Sequence, residues 1–122
     1  MSEFKIESIP AGLEGARILR LTGPFTLQQV FEFQSIIRSG TDPITIIDLT
    51  QVPYMDSASL GAIMGAHVLF HKQQRKYALV GVSDRLRVLF EVSGVEKLLV
   101  IYATAEEAQS RLAADKPAGS PA

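Results

Sequence analysis

The run Ile44-Thr-Ile-Ile-Asp-Leu49 is β-branched and apolar almost without a break, and it lacks the in-out alternation of a strand with one wet face. Such a run marks a strand buried on both sides, which needs helices packed above and below it. That requirement alone selects an α/β fold with parallel central strands. Tyr77–Val82 is a second buried strand, and Leu98–Tyr102 is the last one.

The rest of the chain fits around these strands. Phe4–Ile9 and Arg17–Thr22 alternate with period two, as half-wet strands do. Turn residues in Pro10-Ala-Gly-Leu-Glu-Gly15 join them as a hairpin, and Gly23-Pro24 ends the second. Thr26-Leu-Gln-Gln29 is a capping box, with Phe25 and Val30 as the hydrophobic staple around it. Leu27, Val30, Phe31, Phe33 and Ile37 follow at helical spacing, and Gly40 stops this first helix. Asp56 caps a second helix running to about Gln74. Ser83 or Asp84 caps a short third helix with Leu86, Leu89 and Phe90 inward, closed by Gly94. Thr104-Ala-Glu-Glu107 is another capping box, opening a final helix through about Leu112. The order β-β-α-β-α-β-α-β-α predicts one α/β domain over residues 1–112, with a mixed sheet of about five strands and four helices. Its first two strands form an antiparallel hairpin, and the later strands are joined by right-handed crossovers. Residues 113–122 have nothing to bury and read as a disordered tail.

Composition removes several classes of function. Twelve Lys and Arg against 13 Asp and Glu give a net charge of −1, which leaves no basic face for nucleic acid. The chain has no Cys, so zinc-thiolate sites, thiol nucleophiles and redox switching are excluded. No apolar run approaches the roughly 18 residues of a membrane span, and Met1–Pro10 lacks the shape of a signal peptide. The expectation is a soluble cytoplasmic protein with no membrane insertion, no metal and no cofactor.

Chemistry concentrates in Val52-Pro-Tyr-Met-Asp-Ser-Ala-Ser-Leu-Gly-Ala-Ile-Met-Gly65, which runs from the carboxyl end of a buried strand into a helix. Sites in open α/β sheets tend to lie at such junctions. A helix start also offers unpaired amides and a positive partial charge. Asp56 fits as the cap, with Ser57, Ala58 and Ser59 in the first turn; the plain alternative is that these residues only finish the helix. Ser57, Gly61 and Gly65 fall four apart on one stripe. Each interior glycine costs about 1 kcal/mol relative to Ala, so either tight packing against the sheet or a partner's backbone must offset it.

A Ser57 nucleophile would need a base and an orienting group. His67 and His71 lie on the same helix, about 15–20 Å further along at 1.5 Å per residue, outside hydrogen-bond reach. Their i, i+4 spacing lacks the Glu of a metalloprotease helix and a third ligand, which leaves two helix histidines with no metal role. Lys72, Arg75 and Lys76 complement the negative end of that helix. Gly12, Gly15 and Gly23 do not form a phosphate loop.

Asp56-Ser57-Ala58-Ser59-Leu60-Gly61 resembles the Asp-Ser-(Ser/Thr)-Gly-Leu-Gly motif of STAS domains, the family of sulphate-transporter and anti-sigma-factor-antagonist domains. Leu21-Thr-Gly23 is similar to the family's Leu-x-Gly, Ile47-Asp-Leu49 to its central strand, and Phe90-Glu-Val-Ser-Gly-Val-Glu-Lys-Leu98 to the exit from its third helix. The likeness spans residues 3–112 and implies a STAS-like fold and a non-enzymatic, protein-binding regulatory module. Freestanding STAS chains of this length resemble bacterial anti-sigma factor antagonists, which bind a serine-kinase anti-sigma factor and so free a sigma factor. The resemblance implies a docking set of Thr26, Asp56, Ser57, Ala58, Ser59 and Gly61. In that family the kinase phosphorylates the residue after the first Ser of the motif, and the modified antagonist lets go. A phosphate adds about −1.5 to −2 charge, and beside Asp56 at about 6 Å the repulsion reaches several kcal/mol at an effective dielectric of about 20.

This chain departs from the pattern at three places. Ala58 stands at the acceptor position, Ser59 replaces the motif's Gly, and Thr26 replaces the acidic residue that follows Leu-x-Gly. The expectation is docking through the Asp56–Ser59 helix start, either with no switch or with Ser57 as a displaced phosphoacceptor. The alternative implied by the family is an accessory subunit of a membrane transport system such as a lipid-transport ABC complex, which needs no switchable serine. The sequence leaves monomer or homodimer open.

Overall fold

The computed structural model describes residues 4–114. Strands β1 (Lys5–Pro10), β2 (Ala16–Thr22), β3 (Ile44–Gln51), β4 (Lys76–Val80) and β5 (Ile101–Tyr102) form one sheet in the order β1-β2-β3-β4-β5. β1 is antiparallel to β2, with Ile9 opposite Ile18, and every later pair is parallel. Helices α1 (Val30–Ser39), α2 (Ser57–Lys72) and α3 (Asp84–Val92) connect the parallel strands, and α4 (Ala105–Ala114) ends the described chain.

From β2 to β5 the sheet advances one strand at a time in one direction, so right-handed crossovers place α1, α2 and α3 on a single face. The larger core lies there, with Phe33 and Ile37 of α1, Ile63 and Phe70 of α2, and Leu86 and Phe90 of α3 packed on Leu19, Leu21, Ile47, Leu49 and Leu79. α4 folds back onto the opposite face, where Ala108 and Leu112 meet Ile18, Ile46, Ala78 and Val80. β3 is therefore covered on both sides, and Thr45 through Leu49 are all buried, as the sequence run requires. Asp48 is tolerated within that run because its carboxylate accepts from Thr50 N at 2.9 Å and Thr50 Oγ1 at 2.6 Å, and pairs with Arg20 Nε at 3.4 Å.

Four elements differ from expectation. The first helix opens as a 3₁₀ turn over Leu27–Gln29, held by the Thr26–Gln29 box, and becomes α-helical only at Val30. Its apolar residues do not share one face: Phe33 and Ile37 are buried, whereas Leu27 is 66% and Phe31 83% exposed. The last strand is two residues long, because Glu96–Leu98 forms a 3₁₀ turn after Gly94 (φ 75°) and Arg87 Nη1 holds Glu96 at 2.9 Å. β4 stops at Val80, where Gly81 turns at φ +69° against Thr50; a side chain there would meet the Thr50 hydroxyl and lie 2.9 Å from its backbone nitrogen. Only a residue without Cβ fits that crossing. α4 extends to Ala114, two residues into the segment expected as a tail; the remainder of that segment lies outside the described residues.

Candidate docking surface

Two loops set up the site. Gly23 N donates to Gln51 O at 3.0 Å and Phe25 N to Tyr54 O at 3.1 Å, and Phe25 bridges Met55 in parallel. The chain leaving β2 therefore continues beside the chain leaving β3, with Phe25, Val52 and Met55 buried as its anchors. This brings the starts of the first and second helices side by side.

Asp56 joins them. One carboxylate oxygen accepts from Ser59 N at 2.9 Å, capping α2, and the other accepts from Leu27 N at 3.0 Å, at the start of the neighbouring helix. Ser59 completes the box, its Oγ accepting from Asp56 N and donating to Asp56 O, both at 3.1 Å. Burial alone would raise the Asp56 carboxyl, but the amides of Ser59, Leu27 and Ala58 and the Ser59 hydroxyl outweigh it and hold the group below its ordinary value. A fixed, ionised carboxylate thus sits between two helix N-termini, where negative charge is favoured.

The six residues expected to dock differ in exposure. Ser57 and Gly61 are exposed, and Thr26, Asp56 and Ala58 are half-buried. Ser59 is a correction: it is fully buried, spent on the cap, and has no surface to offer a partner. Thr26 is engaged with Gln29, whose Oε1 accepts from Thr26 N at 2.8 Å and from Thr26 Oγ1 at 3.0 Å. Nothing lies within 4 Å of a Cβ built at Gly61 or Gly65, so internal packing does not explain either glycine.

Sequence reasoning missed the apolar part of the surface. Leu27, whose amide Asp56 holds, and Phe31 one turn later form an exposed i, i+4 pair beside the α2 start. The signal was present, since Leu27/Phe31 and Phe33/Ile37 are two separate i, i+4 stripes about half a turn apart. The two histidines take no part in the site. His67 Nδ1 lies 2.7 Å from the Tyr77 hydroxyl, which also accepts from Val100 N at 3.2 Å; burial pushes the Tyr77 hydroxyl up to about 12. Among the described residues no group of three His, Cys, Asp or Glu side chains could hold a metal ion, and no helix is long and apolar enough to cross a membrane.

The STAS domain family model matches residues 10–108. Over 77 residues the chain is 36% identical to the anti-sigma-B factor antagonist of Listeria monocytogenes, covering 63% of this chain and 68% of that protein. Its fold is similar to that of an anti-sigma factor antagonist from Mycobacterium paratuberculosis, with a TM-score of 0.75 at 17% identity over 89% of this chain and 95% of that one. It is also similar to the unphosphorylated form of the anti-sigma factor antagonist SpoIIAA, with a TM-score of 0.72 at 22% identity over 93% and 99% of the two chains. With the family model spanning most of the chain, and with the strand order, the helix layers and the Asp56-Ser57 helix start in place, this protein belongs to the STAS domain family.

Proposed function

We propose that this chain is an anti-sigma factor antagonist that acts in the cytoplasm, binding a serine-kinase anti-sigma factor through its paired helix starts and thereby freeing a sigma factor. The observation that carries the reading is the surface around Asp56. There a carboxylate fixed by two amides sits next to the exposed Ser57 and the exposed apolar pair Leu27 and Phe31. Large exposed apolar side chains beside a rigid polar cluster are the makings of a protein interface. The relative from Listeria monocytogenes, named for antagonising an anti-sigma factor, supports that partner.

Binding is not governed by phosphate at position 58, because Ala58 has no hydroxyl to accept it. Ser57 is exposed, but it immediately follows Asp56; its role is to face the partner, and Asp56 disfavours a second negative group there. The domain acts as a binding module.

The test is capture of partners on the immobilised domain, from soluble extract and from detergent-solubilised membrane, with identification by mass spectrometry. Retention of a serine-kinase anti-sigma factor, lost on Phe31→Ser, is the expected result. Retention of a transporter ATPase subunit in its place would overturn the proposal in favour of a transport accessory role. Incubation of the captured kinase with ATP and the domain is expected to leave Ser57 unmodified; a phosphopeptide at Ser57 that vanishes in Ser57→Ala would contradict the absence of a switch.

A further inference from the structure

Away from the helix starts, α1 and α2 part to form a cleft of about 240 Å³, walled by Phe33 and Ile37 from α1 and by Ala62, Ala66 and Leu69 from α2. Gly65 also lines it, and a Cβ there would meet open space. Leu27 and Phe31 are exposed on α1 outside this cleft, Phe31 bordering a second hollow with Ser35, Arg38 and Ser39, so that Arg38 stands between Phe31 and the cleft. Its guanidinium reaches only Gln34 Oε1, at 3.4 Å, and no carboxylate pairs with it among the described residues.

We infer that the partner kinase, on the function proposed above, lays an amphipathic helix along the α1–α2 groove, with apolar side chains over Phe31 and in the cleft and a carboxylate on Arg38. A helix is the occupant the groove fits. Two neighbouring helices leave a furrow that accepts a third helix's ridge, and the missing side chain at Gly65 lets that ridge approach closely. From Val30 to Arg38 the seam spans about 12 Å, so the docked helix needs at least two turns to link the helix starts to the arginine. An unpaired arginine at the end of an apolar groove fixes the direction of the occupant, because a carboxylate at the matching end forms a charge-assisted pair.

The test titrates the purified kinase against the full chain and its variants. Gly65→Gln fills the furrow and Arg38→Glu reverses the charge; both are expected to weaken binding at least tenfold. Gly65→Gln is expected to melt at or above the wild-type temperature, which separates a blocked groove from a damaged fold. Val88→Ser, at an exposed position on α3, is expected to bind as wild type does. Hydrogen exchange of the complex is expected to slow in residues 31–38 and 62–69. Wild-type affinity in both Gly65→Gln and Arg38→Glu, with Ala58→Asp abolishing binding, would overturn the groove while leaving the proposed function intact. Failure of the wild-type chain to bind the kinase at all would remove the function and the groove's occupant together.

Discussion

The Asp56 carboxylate accepts one amide from each of two helix starts, Ser59 N at 2.9 Å and Leu27 N at 3.0 Å, and so couples capping to tertiary structure. Removing a cap of this kind costs about 1 kcal/mol for one helix. Asp56→Ala, which frees both amides, is expected to lower stability by about 2 kcal/mol, read as a shift in the urea midpoint at unchanged slope. The folded state favours the ionised group, whose carboxyl lies below its ordinary 3.8. Its contribution is therefore complete above the unfolded value and lost as pH falls through the folded one. Melting temperatures of wild type and Asp56→Asn are expected to differ at pH 7 and to converge as pH drops below about 4; a constant gap down to acid would contradict the assignment. The cap was legible in the sequence because Asp before a helical run is a local signal. The Leu27 bond was not, since it joins residues 29 apart and depends on two loops running side by side. Ser59 differs for a local reason: a serine in the first turn suits a surface, but here its hydroxyl is consumed by the box with Asp56, three residues earlier, at zero exposure.

Elements with a strong periodic signal formed where expected, and those that differ do so at their ends. β3 was legible because five consecutive buried residues leave no alternative to a two-sided strand. The last strand is shorter than its sequence suggests: Leu98-Leu-Val-Ile is a suitable run, but the turn after Gly94 and the Arg87–Glu96 pair claim its start. Helix one shows a different failure, two apolar stripes read as one, which hid the exposed Leu27 and Phe31. Glycines separate in the same way. Gly61 and Gly65 are open, so Gly61→Ala and Gly65→Ala are each expected to stabilise the protein by about 1 kcal/mol, seen as a raised melting temperature. Gly81 has a left-handed backbone pressed on Thr50, and Gly81→Ala is expected to destabilise by about 1–3 kcal/mol. A destabilised Gly65→Ala would show that the furrow is already filled from within.

Across the whole molecule, the sheet order dictates where function can lie. Three helices on one face leave α1 and α2 adjacent and parallel in sense, their starts gathered at the carboxyl ends of β2 and β3, while α4 closes the other face. The proposed docking surface is thus a product of topology as much as of the Asp56-Ser57 motif, and the partner proposed for it comes from the family resemblance, since residue chemistry alone does not name one. On the proposed function, the absence of a hydroxyl at position 58 separates binding from phosphorylation, and one added oxygen restores the link. The decisive measurement is the affinity of wild type and of Ala58→Ser for the serine-kinase anti-sigma factor, before and after incubation with ATP. Wild type is expected to bind equally in both conditions, whereas Ala58→Ser is expected to be phosphorylated and to lose at least tenfold in affinity. Loss of wild-type binding after ATP, or no wild-type binding in either condition, would contradict it.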